Sequence, residues 1–316
     1  MTRYLLGRLL QTLLVLLAMS AIVFGLIGLM PGDPIDLMIQ GDPDMMPADA
    51  ARLRALYGLD QPIWSRYLSW LGEALSGRLG YSRLFTQPVL AVLAPRLVDT
   101  LMLMGLALAI SAAIAIPAGL WVARRAQGWI DYVVNLLCFA GVSLPSFWLA
   151  LLLITLFAVV LGWLPAGGVG EGAWQQARHL VMPVLVLSLS QLGHHIRFVR
   201  AAAIDALRAD HVRTARAKGL SEGQVMWRHV LRNAMAPVLT VLALSFGALF
   251  SGAVITETMF ARPGMGKTIY DAILGNDFNL ALIGLMLATF ATLMGNFLAD
   301  LGYAALDPRV RLREAQ

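Results

Sequence analysis

The sequence predicts an all-α polytopic membrane protein with about six transmembrane helices, and three observations carry that prediction. Of 316 residues, 59% are hydrophobic and only 14% charged, a composition typical of chains that cross a bilayer several times. The apolar residues are gathered into charge-free runs near or above the roughly 20 residues that a helix needs to span the hydrocarbon. Most of the 24 Lys and Arg fall in segments that six spans would place on one side, as the positive-inside rule requires.

The runs cover residues 9–30, 100–123, 132–161, 179–196, 233–256 and 278–299. The first follows Arg3 and Arg8 but is longer than the roughly 7–15 residues of a signal h-region, and PGDP at 31–34 follows it without a small-residue cleavage site. It reads as a retained span. The third is interrupted at Pro145; it reads as one kinked span, since proline is tolerated in membrane helices. Splitting it would put the basic segment from Arg197 to Arg232 outside. Both termini are therefore expected in the cytoplasm, with Arg124, Arg125, Arg309, Arg311 and Arg313 also inside. This gives a first span in 1–30, an external insertion over 31–98, and a five-span core over 99–316 that contains a cytoplasmic loop at 201–233.

In the insertion, Trp64, Tyr67 or Leu68, Leu71 and Leu75 fall along one helical stripe. Trp64, Tyr67 and Trp70 also suit the bilayer interface. The stripe packs as a small cap on the helix ends, docks an external protein, or does both.

The loop is the most informative segment. Alanine and arginine favour helix up to Lys218, Gly219 is a helix stop, and Ser221 is a new N-cap. Two short helices with a bend are expected, with Val225, Met226, His229, Val230 and Asn233 spaced by three or four towards Pro237. A pair resting on anionic lipid is one reading, but small residues at Ala215, Ala217 and Gly219 favour close protein contact. A connection that only joined two spans needs few residues.

Enzyme chemistry finds no support. Cys138 lies inside a predicted span, so neither a disulfide framework nor a thiol metal site is expected. His194 and His195 are adjacent, point about 100° apart on a helix, and cannot chelate one ion; they read as interfacial hydrogen-bonding groups. Glu257 and Asp300 end uncharged runs and read as solvated helix-end charges, although ionisable groups near membrane depth always raise a functional question. Ser143, Ser146 and Gln191, with Phe147 beside them, are interhelical hydrogen-bond partners or the lining of a path. The net charge of +5 is explained by topology and does not indicate nucleic acid. The run from Ala261 to Thr268 fits a relaxed phosphate-loop pattern, but it follows a membrane span instead of a buried strand.

RTARAKGLSE at 213–222 resembles the cytoplasmic coupling loop of ABC importer permeases, in the form found in the dipeptide, oligopeptide and nickel permease branch. PGDP at 31–34, SLPSFW at 143–148, ETMFARPGMGK at 257–267 and DPRVR at 307–311 agree in order. The general motif has Glu-Ala-Ala where this chain has Arg213, Thr214 and Ala215, so a contact through that glutamate is not carried over. The resemblance implies a multi-pass protein of the bacterial inner membrane that carries no cofactor, with ATP and Mg bound by partner ATPase subunits. Its other partners would be a second permease subunit, an external substrate-binding protein and the lipid bilayer. The ATPase-coupling residues it implies are Arg213, Ala215, Arg216, Ala217, Lys218, Gly219, Leu220, Ser221 and Glu222. An external loop or gate would use Glu257, Phe260, Pro263, Gly264 and Gly266. An ATPase-independent channel or carrier is the competing class, and it predicts transport with no ATPase present.

Overall fold

A computed structural model describes residues 2–29 and 60–306. The PGDP and DPRVR motifs, Arg309, Arg311 and Arg313, and the side chains of Arg3, Arg8 and Asp300 lie outside what is described. The described chain is helical: α1 (Thr2–Gly28), α2 (Ile63–Leu75), α3 (Val89–Ala123), α4 (Trp129–Ser143), α5 (Ser146–Val160), α6 (Gly172–Leu207), α7 (Asp210–Ala217), α8 (Glu222–Met259), α9 (Met265–Leu274) and α10 (Phe278–Leu306).

Four of these are long and apolar enough to cross a membrane, within α1, α3, α8 and α10, and the bent pair α4–α5 makes a fifth if it is one span. The fourth expected run, 179–196, lies inside α6. At 36 residues that helix is about 54 Å long, yet His179, Gln191, His194, His195, Arg197 and Arg200 dilute its apolar character. The run over 132–161, expected as one kinked span, is broken into two helices at Leu144 and Pro145. Leu144 is extended at φ −79°, ψ 123°, and Pro145 at φ −62°, ψ 136°, because the proline ring pushes the preceding residue out of the α region. The two arms diverge by 95°, far more than a proline kink.

The chain forms two compact units, Val98–Lys267 with Ala291–Gln316, and Thr2–Leu97 with Thr268–Phe290. In the second, α2 lies on α1 through Phe24, Tyr67 and Trp70, whose ring centroids are 5.6–6.1 Å apart. The hydroxyls of Ser20 and Tyr67 share a hydrogen bond at 2.8 Å. The packed face of α2 is therefore Tyr67 and Trp70, while Trp64, Leu68 and Leu75 of the expected stripe are exposed. Asp277, buried, accepts from Ser82 at 2.6 Å and from the amides of Leu84 and Leu280.

In the first unit an apolar cluster joins Leu120 and Ala123 of α3, Val199 and Ala203 of α6, Val212 and Ala215 of α7, and Val225, Met226, Val230, Val238 and Leu242 of α8. Asp131 of α4 and Arg200 of α6 form an ion pair beside it, with the Gln127 amide and the Asn135 side chain also on Asp131.

Candidate functional site

Three places in the first unit gather the residues of interest, and the bend between α7 and α8 is the best defined. Helix α7 ends in a left-handed glycine cap. Gly219 has φ +79°, its amide donates to the Arg216 carbonyl at 2.9 Å, and the Leu220 amide donates to the Ala215 carbonyl at 3.3 Å. These are the paired bonds of a Schellman motif, completed by packing of Leu220 on the same cluster as Ala215. Two residues on, Ser221 and Gln224 form a reciprocal capping box. Arg216 spans the bend to Glu222 with bonds of 2.8 and 3.1 Å.

Two sequence expectations change here. The loop does not hold two short helices: residues 201–207 belong to α6, and the segment after Ser221 is the start of α8, with a π turn over Val225–Val230. Ala215 is also not a surface contact. It is 3% exposed and, with Val212, anchors α7 to the core. The outward residues are Arg213, Thr214, Arg216, Ala217 and Lys218. Trp227, in the π turn that opens α8, is 57% exposed; it lies off the Val225–Met226–Val230 stripe, so apolar spacing does not single it out.

The second place is a hollow of about 360 Å³ between α4, α6 and α8, where Ser190, Gln191, His194 and Ser245 supply polar groups among Val142, Val241, Leu244 and Ala248. Of the four residues considered for a path, Gln191 lies here. Ser143 is exposed and donates to the Phe139 carbonyl at 2.8 Å, and Phe147 is exposed on α5; neither these nor Ser146 lines the hollow. Behind it, His195 is buried, not interfacial. Its Nδ1 is 2.8 Å from Ser111 Oγ of α3 and its Nε2 is 2.9 Å from Ser245 Oγ of α8. Ser245 already gives its single hydrogen to the Val241 carbonyl at 2.8 Å, so it accepts from His195. Nε2 therefore carries the proton, and Ser111 donates to Nδ1. One neutral imidazole thus ties three long helices together.

The third place is the turn from Glu257 to Lys267. Glu257 is 0% exposed, which corrects its reading as a solvated helix-end charge. The Thr100 hydroxyl and the Lys267 amide donate to its carboxylate. Phe260 is buried against Ala150, Leu153, Met182 and Val186, and its carbonyl accepts from the Gly168 amide at 2.7 Å. Pro263 is half-buried, and Gly264 and Gly266 are buried. Buried Arg262 donates to Asp99 at 3.3 Å. Thr100, Asp99 and Arg262 carry no sequence signal that would single them out, since they meet Glu257 and its turn only through folding. Among the described residues, no three of His, Cys, Asp and Glu form a metal-holding group.

Comparison with known proteins agrees over nearly the whole chain. Residues 115–312 match the model of the binding-protein-dependent transport system inner membrane component, and residues 1–104 match its N-terminal companion. A putative peptide permease protein of Brucella suis is 39% identical over 99% of this chain and all of its own length. An oligopeptide transport system permease protein, AppB, of Bacillus subtilis is 34% identical over 98% of this chain and 99% of its own. A dipeptide transport system permease protein, DppB, of Alkalihalophilus pseudofirmus is 32% identical over 98% of this chain and all of its own. Among solved structures, the inward-facing MetNI methionine ABC transporter aligns at TM-score 0.58 and 17% identity, over 70% of this chain and 98% of that one, which speaks to the fold. With both family models matched and relatives of this identity along its full length, the chain belongs to the binding-protein-dependent transport system inner membrane components, a family of multi-pass bacterial inner-membrane proteins.

Proposed function

We propose that this chain is a permease subunit of an ATP-driven importer of peptides, forming half of the path through the membrane and receiving the motion of separate ATPase subunits through residues 210–233. The observation that carries the reading is the construction of the bend. Val212 and Ala215 fix α7 to the core, both sides of the bend are capped, and a basic, small-residue surface of Arg213, Arg216, Ala217 and Lys218 is left facing out. A lever needs that combination, because a docking surface on a loose loop would absorb motion instead of passing it on. α8 continues from the bend, through the π turn at Val225–Val230, into its apolar span, so a push at Glu222 is carried towards the hollow.

In this reading the bend lies on the cytoplasmic side, ATP and Mg stay on the ATPases, and a second permease completes the path. Gln191, with Ser190 and His194, lines the path at the hollow; Ser143, Ser146 and Phe147 contribute from the bent α4–α5 pair. The turn carrying Glu257, Phe260, Pro263, Gly264 and Gly266 is the external gate, where a substrate-binding protein delivers cargo. Peptide as cargo follows the names of the full-length relatives. Coupling of this kind requires that the partner contact the two states of the chain differently.

Gly219→Trp tests it. Open space surrounds that position, so the indole fits while the docking surface is blocked and the left-handed cap is strained. Membrane insertion stays normal, and ATP-dependent uptake of a radiolabelled tripeptide is lost. Normal uptake by this variant, or uptake that persists without any ATPase, ends the reading.

A further inference from the structure

The run from Ala261 to Thr268 imitates a phosphate-binding loop, and the fold supplies its amides with an anion carried by the chain itself. The first turn of α9 offers N–H groups with no helical carbonyl to receive them, at the positive end of the helix dipole. The Met265 amide donates to Thr100 Oγ1 at 2.8 Å. Thr100 Oγ1 donates in turn to Glu257 Oε1. The Lys267 amide donates to Glu257 Oε2 at 3.0 Å, and the Gly266 amide reaches the same carboxylate. The cap of α9 is thus built from the end of α8 and from α3.

Gly264 carries the imprint of this arrangement. Its φ lies outside the left-handed region, so the backbone does not require glycine, yet a Cβ there would land on the Glu257 carboxyl group. Gly266 differs: a Cβ would meet Val254 Cα at 2.8 Å as well as Glu257 Oε2 at 3.0 Å. Gly264 therefore answers to Glu257, and Gly266 to the backbone of α8 too. Beside them Arg262, 2% exposed, donates to Asp99 and leaves Nε and Nη1 without an acceptor.

We infer that Glu257 is the positioning residue of this turn, an internal anion that, with Thr100, sets the course of residues 260–267 and ties the end of α8 to α3. Its consequence for transport rests on the gate proposed above; the positioning itself does not. The turn then changes shape whenever α3 and α8 shift against each other, since its cap is shared between them.

A double-mutant cycle in the assembled importer tests the inference, read by the rate of tryptic cleavage after Lys267 and by uptake of a radiolabelled tripeptide into proteoliposomes. Gly264→Ala and Gly266→Ala are each made in the wild-type chain and in Glu257→Ser, which removes the obstructing carboxylate. In the wild-type chain both substitutions speed cleavage by about tenfold or more. In the Glu257→Ser chain Gly264→Ala adds less than about twofold, whereas Gly266→Ala still adds its full effect. The Gly266 arm guards against a Glu257→Ser chain so damaged that nothing further registers. The inference is overturned if Gly264→Ala and Gly266→Ala behave alike in the Glu257→Ser background. If cleavage follows the expected pattern while uptake stays normal in the single variants, the positioning role stands and the gate reading falls.

Discussion

The two bends that bracket α8 are built on opposite principles. At the first, around Gly219, the capping contacts come from within a few residues: Leu220 to Ala215, Gly219 to Arg216, Ser221 to Gln224, Arg216 to Glu222. At the second, around Gly264, the partners are far away in sequence, with Thr100 at 157 positions from Glu257 and Asp99 at 163 from Arg262. A bend specified locally keeps its shape while the surrounding helices move, which suits a surface that must present one face to a partner. A bend held by two distant spans registers their relative movement, which suits a gate. Glycine marks both, for different reasons: positive φ at Gly219 and close approach of a side chain at Gly264.

The largest way to break the second bend is Glu257→Ala. It takes the acceptor from the Thr100 hydroxyl and the Gly266 amide, both in buried residues, and from the amide of half-buried Lys267. At about 1–3 kcal/mol for each unsatisfied buried group, the loss is about 3 kcal/mol or more, measured as thermal unfolding of the purified subunit in detergent. A loss under about 1 kcal/mol would mean that water replaces the carboxylate and that the turn is not organised by it.

The corresponding break in the first bend is smaller. Gly219→Ala forces a Cβ into the left-handed region, at about 1–2 kcal/mol, and Gly219→Asn costs less because its short polar side chain tolerates that conformation. No neighbouring atom lies within 4 Å of the added Cβ, so the alanine and asparagine variants separate backbone strain from crowding. Equal effects from the two would indicate that the space around Gly219, not its φ, is what matters.

This contrast also explains what could be read from the sequence. The stop at Gly219, the cap at Ser221 and the apolar runs of α1, α3, α8 and α10 are encoded by residues close to one another, and local chemistry reveals them. Pro145 showed that something happens in the third run, but the 95° angle depends on what the two arms pack against. Glu257 looked like a charge ending an apolar run, and only folding brings Thr100 to it. His195 looked like half of an adjacent pair, yet its partners Ser111 and Ser245 sit 84 and 50 positions away. Ala215 was readable as small, but not as inward-facing, because alanine is equally at home on either side of a helix.

Next in size is Ser221→Ala, which removes one side of the capping box and costs about 1 kcal/mol. Its companion contact, Arg216 to Glu222, is half exposed on both sides; Glu222→Gln is expected to cost no more than about 1 kcal/mol and to lose even that at high salt. If Ser221→Ala leaves stability unchanged but lowers uptake, the cap sets the angle of α7 and adds little to folding. The measurement is therefore made on both properties of the same preparation.

The smallest expected effect belongs to another locally encoded contact, Glu73 with Arg78 at the end of α2, five positions apart and fully open to solvent. The hydrogen bonds from Arg78, one of them at 2.8 Å, hold the Glu73 carboxyl below its ordinary value of 4.5. A carboxyl whose value is lowered by folding adds stability above its unfolded pKa and loses it as pH falls through the folded value. The difference in Tm between the wild-type chain and Glu73→Gln is thus greatest at neutral pH, amounts to about 1 degree or less, and closes as pH drops below 4.5. A difference that instead widened on acidification would show that the pair is not held in the folded chain as an ion pair.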